Sequence, residues 1–307
     1  MYEQQNEKML FLEITNACNL NCLHCYNSSG KKKNRELSIS KIELIIKNFK
    51  KIGGNVVCIS GGEPFMRNDI IDIVNIILDN GIKDIRLATN GLLINKNNID
   101  ILKNFQIVSI SLDGFYTEHN KIRNNNCFDK SVEKIKAIME TIGKDRVEIS
   151  SVLIEKSLDY FESYVKWLMN LGIKHLNVSV PGFFSKKWTN ELGDYVLSNE
   201  FREKAYKKIK HISRKYANKI NISQTLFFRP VDVFNKNVFN CNCYGDLVPS
   251  VGGVDSNWIM GKAYISMSRD EAIIKKLKDI QLEMEKKLEE QHHLFWWEEL
   301  YQQINSI

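Results

Sequence analysis

The chain has 307 residues, 43 Lys and Arg against 37 Asp and Glu, a net charge of +6 and 43% hydrophobic residues, which excludes disorder as the main state and suffices for a full-sized core. Its densest basic run, Lys31, Lys32, Lys33 and Arg35, is too short to track a nucleic-acid backbone. No stretch reaches the roughly 20 apolar residues of a membrane span and the polar N-terminus lacks a signal sequence, so a cytoplasmic protein without nucleic-acid or membrane partners is expected.

From residue 9 to about 183, short runs rich in Val, Ile and Leu alternate with longer segments of helical period, the pattern of β-α units on a parallel sheet. Strands are predicted near 9–15, 55–60, 84–89, 106–112, 146–154 and 175–181. Helices are predicted near 38–52, 68–80, 95–104, 128–142 and 157–171, with Gly53, Gly81, Gly143 and Gly172 placed to end helices. A basic helix follows at about 197–218, then a strand-like run at 220–228 leading to Arg229-Pro230. Residues 237–265, rich in Gly, Asn and Ser, suggest a hairpin with irregular loops, and 269–304 one long charged helix. The predicted division is 1–230 and 231–307.

Seven cysteines, an odd number in a reducing compartment, point to metal ligation or catalysis before a disulfide framework. Three stand together in Cys18-Asn19-Leu20-Asn21-Cys22-Leu23-His24-Cys25, directly after the first strand. Three thiolates at this spacing can give three irons of a cubane cluster their protein ligands and leave the fourth iron open. A zinc site of three cysteines and His24 is the plainer alternative. However, His24 is tethered too tightly to Cys25 to complete a tetrahedron easily, and no second Cys or His pair follows nearby.

Polar loops follow the next strands. In Ser60-Gly61-Gly62-Glu63-Pro64 the glycines permit close backbone approach, the carboxylate can accept bonds from an ammonium group, and the proline stiffens the exit. Ala88-Thr89-Asn90-Gly91 ends the third strand and Ser109-Ile110-Ser111-Leu112-Asp113-Gly114 the fourth. Each alone could be an ordinary turn. Together they gather small polar groups at the C-terminal ends of parallel strands, where barrel folds build their active face.

Cys18-x-x-x-Cys22-x-x-Cys25-Tyr26 resembles the signature of the radical S-adenosylmethionine (SAM) superfamily, including the aromatic after the third cysteine. Ser60 to Pro64 resembles that family's motif for the methionine amino group. Ser111-x-Asp113-Gly114, with Glu118-His119-Asn120-x-x-Arg123, resembles the stretch of peptide-modifying members that contacts the cofactor's ribose and carboxylate. The resemblance covers residues 8–185 and implies an α/β fold, a partial (β/α)6 TIM-like barrel. It implies one 4Fe–4S cluster on Cys18, Cys22 and Cys25. It also implies SAM contacts from Tyr26, Gly61, Gly62, Glu63, Pro64, Asn90, Ser111, Asp113 and Arg123, the last suited to a carboxylate by its planar fork. The activity implied is cleavage of SAM to a 5′-deoxyadenosyl radical that abstracts hydrogen from substrate.

Residues 240–250, Asn240-Cys241-Asn242-Cys243-Tyr244 through Ser250, with Ile259-Met260-Gly261-Lys262, are similar to the cysteine-rich SPASM or twitch-type extension of peptide-maturing members. Ser250 stands where a cysteine is expected and none follows Cys243, so a single cluster and a reduced, cluster-free extension are expected. Cys241, Cys243 and Cys127 are then candidate hydrogen-atom donors, with simple packing as the plainer alternative. Cys127 opens a helix, where a thiol pKa falls; Cys58 suggests a small buried hydrophobe. His292-His293 and Trp296-Trp297 near the C-terminus suggest helix docking.

The expected substrate is a ribosomally made peptide, cross-linked or epimerised. The alternatives are tailoring of a sugar, nucleoside or porphyrin, and, from another class, a non-catalytic zinc-binding module. A flavodoxin- or ferredoxin-like electron donor is expected, and the Lys31 to Arg35 run would attract an acidic carrier. With the cysteine motif starting at residue 18, leader-peptide recognition is expected to fall to a separate protein or to the C-terminal part.

Overall fold

Successive strand residues point to opposite faces of a sheet, so the burial of every second side chain fixes which face meets the helices. In β1 (Met9–Glu13) these are Leu10 and Leu12, in β2 (Val56–Ser60) Val57 and Ile59, and in β3 (Asp84–Thr89) Ile85 and Leu87. In β4 (Ile107–Ser111) they are Val108 and Ile110, in β5 (Val147–Val152) Val147 and Ile149, and in β6 (His175–Ser179) Leu176 and Val178. All belong to one continuous apolar core. The computed structural model describes residues 7–25, 27, 29–32, 34–179, 199–224, 238–248, 261–264 and 267.

The six expected strands run parallel in chain order. The run at 220–228 supplies a seventh, β7 (Asn221–Gln224), parallel to β6. At the other edge β8 (Val238–Cys241) pairs parallel with β1, Leu12 opposite Cys241, and turns back into antiparallel β9 (Asp246–Val248), which pairs with β10 (Gly261–Lys262). The expected hairpin therefore exists, and it extends the barrel sheet. Among the described residues there is one open sheet of order β10-β9-β8-β1-β2-β3-β4-β5-β6-β7. Phe239 of β8 meets Phe49 edge to face, 5.9 Å between ring centroids.

The helices cover one face: α1 (Ile39–Lys51), α2 (Ile70–Asp79), α3 (Tyr116–Arg123), α4 (Phe128–Ile142), α5 (Glu155–Leu171) and α6 (Asn199–Lys215). In α1 the Ser38 hydroxyl caps the Lys41 N–H, and Ile42, Ile45, Ile46 and Phe49 line the buried stripe. The four glycines expected to end helices all have φ between 74° and 96°. The helix expected at 95–104 is absent. Asn95 and Asn98 side chains capture the N–H groups of Asn97 and Asn95 at 2.9 and 2.8 Å, which competes with helical bonding, and only a 3-10 turn, Ile99–Asn104, remains. The helix expected at 269–304, with its His and Trp pairs, lies outside the described residues, as do Tyr26 and Ser250. No described helix is long and apolar enough to cross a membrane.

The other face of the sheet carries Phe11, Cys58, Arg86, Ser109, Glu148, Ser150, Asn177, Ser223 and Asn240, alternating with the core residues. On this concave face burial pushes the Cys58 thiol up, to about 12; the neighbouring Arg86 charge opposes the rise and the Glu148 charge adds to it.

Candidate active site

The cysteine loop leaves the end of β1 and is pinned by backbone bonds, Cys18 N–H to Gly30 O at 2.7 Å, Gly30 N–H to Asn16 O at 3.1 Å, and Leu23 N–H to Ile122 O at 2.9 Å. Glu36 holds its first turn by accepting from the Thr15 hydroxyl (2.9 Å) and the Asn16 N–H (3.0 Å). Each cysteine sulfur faces an N–H donor: Leu20 N to Cys18 Sγ at 3.4 Å, Ser29 N to Cys25 Sγ at 3.2 Å, and Arg123 Nη1 to Cys22 Sγ at 3.8 Å. Burial is the largest influence raising the thiol pKa of Cys18, to about 11, and that of Cys22; the neighbouring cysteines add to it.

Gly61 and Gly62 pack against this loop. A Cβ on Gly61, whose φ is 133°, would overlap the Thr15 carbonyl oxygen, and one on Gly62 the Ala17 carbonyl oxygen. The contact is closed by Gly62 N–H to Thr15 O (2.7 Å) and Glu63 N–H to Ala17 O (2.8 Å). Glu63 is fully buried. Its carboxylate accepts from Thr89 Oγ1 (2.7 Å), Asn90 N–H (2.8 Å) and Phe65 N–H (3.2 Å), tying the loop after β2 to the loop after β3. Burial pushes its pKa up, and these three bonds oppose that. Pro64, itself buried, opens a 3-10 turn behind it. Asn90 donates to Asn19 Oδ1 at 2.8 Å, with Cys18 Sγ 4.0 Å away.

Ser111 ends β4, half-buried. Asp113 has no exposed side-chain surface and accepts from Arg123 Nε (2.6 Å) and Val152 N–H (2.9 Å), with His24 Nε2 at 3.8 Å. Burial favours its neutral form, yet the adjacent Arg123 wins and holds the carboxyl below its usual range. Burial, reinforced by Arg123, keeps His24 neutral with a pKa near 3. Among the described residues no three His, Cys, Asp or Glu side chains converge as ligands of a single metal ion. His24 turns to Asp113, which argues against the mononuclear zinc alternative.

The other cysteines do not gather. Cys127 is 4% exposed with its Sγ 3.5 Å from His119 Nε2, and burial raises its pKa against the lowering expected at a helix start. Cys241 packs in the apolar core and Cys243 is 3% exposed, its thiol pushed up to about 12 by burial. Cys58 is half-buried on the concave face, beside Arg86.

Sequence reasoning passed over Glu13, at the C-terminal end of β1. It is 3% exposed, accepts from Asn27 Nδ2 at 2.6 Å, and has its pKa raised to about 7 by burial. The available signal was a lone charge closing an apolar strand. Arg67 was also missed; it donates to the carbonyls of Ile14 (2.9 Å) and Leu37 (2.8 Å) and so fixes both ends of the cysteine segment.

A sequence profile of the radical SAM superfamily matches residues 12–168, about half of the chain. The chain belongs to the radical SAM superfamily. Among its relatives is a probable GTP 3′,8-cyclase of Saccharolobus solfataricus, 30% identical over 176 residues; the match covers 55% of each protein, so the chain spans about half of that relative's length. In fold the radical SAM chain is similar to Streptococcus suis SuiB bound to its precursor peptide SuiA, with TM-score 0.63, 18% identity and coverage of 89% of this chain and 64% of that one. It is similar also to anSMEcpe with bound AdoMet and the Cp18Cys peptide, with TM-score 0.59, 16% identity and coverage of 88% and 79%.

The superfamily's cofactors are a 4Fe–4S cluster and SAM. The residues present fit them. Three thiols in one loop, each facing an N–H donor, suit iron ligation, and metal binding displaces the thiol protons. Beside them Asn16 Nδ2 and Ser29 Oγ are buried polar atoms without a hydrogen-bond partner among the described residues, as expected beside a polar guest.

Proposed function

We propose that this radical SAM enzyme holds one 4Fe–4S cluster on Cys18, Cys22 and Cys25 and acts on a ribosomally made peptide, by cross-linking or by inversion at an α-carbon. When bound, cluster and SAM supply reductive cleavage of the sulfonium and abstraction of hydrogen from an unactivated carbon. The protein's part is to bind, orient and exclude water. Glu63 locks two rim loops in register so that Asn90, Ser111 and the backbone at Gly61 and Gly62 offer fixed polar groups to SAM. Arg123 retains donors for its carboxylate beyond those given to Asp113 and Cys22. At the cleft wall Glu13 can hold or release a proton near neutral pH.

The observation carrying the peptide reading is the chemistry of the concave face. Besides Arg86 and Glu148, the latter accepting from Ser109 Oγ at 2.9 Å, it presents Ser150, Asn177, Ser223 and Asn240, small neutral groups of the kind that match amides. Arg86 itself is committed to Asp84 through bonds of 3.0 and 2.6 Å. A triphosphate would call for uncommitted cations there. The folds of SuiB and anSMEcpe, whose structures hold peptides, support the same reading. Sequence similarity to GTP 3′,8-cyclases favours the second reading, a nucleotide.

The two readings separate in anaerobic turnover with SAM and dithionite, offering in turn peptides encoded beside the gene, and GTP. Peptide-dependent 5′-deoxyadenosine is expected, with loss of two hydrogens from the peptide or uptake of one solvent deuterium. Release driven by GTP and by no peptide would replace the peptide reading with the nucleotide one.

A further inference from the structure

Arg123 closes α3 and is 7% exposed, an unusual place for a guanidinium unless its charge is used. Its Nε donates to Asp113 Oδ2 at 2.6 Å, while Nη1 lies 3.8 Å from Cys22 Sγ. The fork is held from several sides. Asp113 Oδ1 is fixed by the Val152 N–H at the end of β5, and Oδ2 also has His24 Nε2 at 3.8 Å. The Asp113 N–H donates to His119 Nδ1 at 3.1 Å, so the ring proton of His119 sits on Nε2, facing Cys127 Sγ (3.5 Å) and Ser131 Oγ (3.4 Å). Leu23, next to Cys22, is bonded through its N–H to the Ile122 carbonyl, one residue before the arginine. Three strand ends and two helices therefore converge on a single cation–sulfur contact.

We infer that Arg123 is a charge-tuning and positioning residue for Cys22: its N–H and buried positive charge at that sulfur stabilise the reduced state of the cluster, and Asp113 sets how much of the charge is felt. The inference rests on the reading of Cys18, Cys22 and Cys25 as cluster ligands. Hydrogen bonds to cluster sulfurs and nearby net charge are among the protein's levers on iron–sulfur potentials. Reduction adds one electron, so a cation at the ligand favours it and an anion opposes it. Of the two charges the arginine is bonded to the ligand itself, while the aspartate stands behind it, so the pair's net effect at Cys22 is that of the cation.

The test is a reductive titration, followed by electron paramagnetic resonance, of anaerobically reconstituted full-length protein without SAM. Wild type is compared with Arg123→Gln, Arg123→Lys and Asp113→Asn, with iron and sulfide measured on each. Arg123→Gln should shift the reduction equilibrium at least tenfold against reduction, 59 mV for one electron. Asp113→Asn should shift it in the opposite direction, and Arg123→Lys, which keeps the charge and loses the fork, should lie between wild type and Arg123→Gln. Shifts of the same sign for Arg123→Gln and Asp113→Asn, or shifts under threefold in both, overturn the inference. If Arg123→Gln fails to load, a rise with Asp113→Asn and none with Arg123→Lys supports the inference, and any other pattern overturns it. Loading by wild type and by no variant makes these residues purely structural and also overturns it. A wild type that takes up no cluster instead removes the ligand reading underneath.

Discussion

Glu13 ends an otherwise apolar strand and is almost wholly buried, so its ionisation is tied to folding. The groups around it include the Asn27 amide, the thiols of Cys241 and Cys243 and the Tyr244 phenol, none of which supplies a positive charge. Burial raises its pKa from 4.5 to about 7. The folded state thus binds the proton more tightly than the unfolded one, and the stability linked to it is complete below about pH 4.5 and lost as pH rises through about 7. Glu13→Gln, which mimics the protonated form, should match wild type at pH 4.5 and exceed it by about 3 kcal/mol at pH 8 in urea unfolding. An unchanged difference between the two pH values would show that the carboxyl is solvated in the folded protein. Glu63 is pushed up by burial as well, but its carboxyl serves as a clamp between two loops. Its carboxylate is satisfied by three donors, and Glu63→Ala strands the buried Thr89 hydroxyl and Asn90 N–H, at a cost of about 3 kcal/mol and with loss of iron loading. Retention of the wild-type melting temperature in that variant would deny the clamp.

Between elements, the Gly61-Gly62 turn does its work by contact with another loop. Gly62→Ala places a methyl group on the Ala17 carbonyl, next to Cys18, where only backbone can yield, whereas Gly143→Ala meets nothing within 4 Å and bears only the cost of its φ of 85°. The first substitution should therefore cost more than the second, whose backbone at φ 85° and ψ 151° costs about 1–3 kcal/mol for a non-glycine residue, and should also lower iron uptake. Equal melting temperatures for the two would contradict it. The motif at 60–64 was legible in the sequence as a place of close approach; the partner was not, because the contact joins residues over forty positions apart. The strands were legible to within a few residues because Val and Ile recur at every second position of β2, β4 and β5, a local signal. The helix expected at 95–104 failed for an equally local reason, the Asn side chains that bind their own backbone. The pairing of β8 with β1 had no such signal, since the register of Leu12 with Cys241 spans most of the chain.

At the scale of the whole molecule that pairing decides what the late cysteines can do. In a parallel pair, side chains in register share a face, so Cys241 follows Leu12 into the helix-side core and away from the concave face. Cys243 lies past the strand end, its carbonyl bonded to the Leu37 N–H, and its thiol is buried. Cys58 sits on the concave side of β2 and Cys127 at the start of α4, against His119. Four thiolates from these positions cannot converge on a second cubane without dismantling β1, β2, β8 and α4. Anaerobically reconstituted protein should therefore hold about four irons per chain. The double variant Cys241→Ala, Cys243→Ala should keep that content and lose only packing, about 1 kcal/mol per site. About eight irons in wild type, falling to four in the double variant, would mean that the β8–β9 hairpin carries a cluster and that its burial changes on loading.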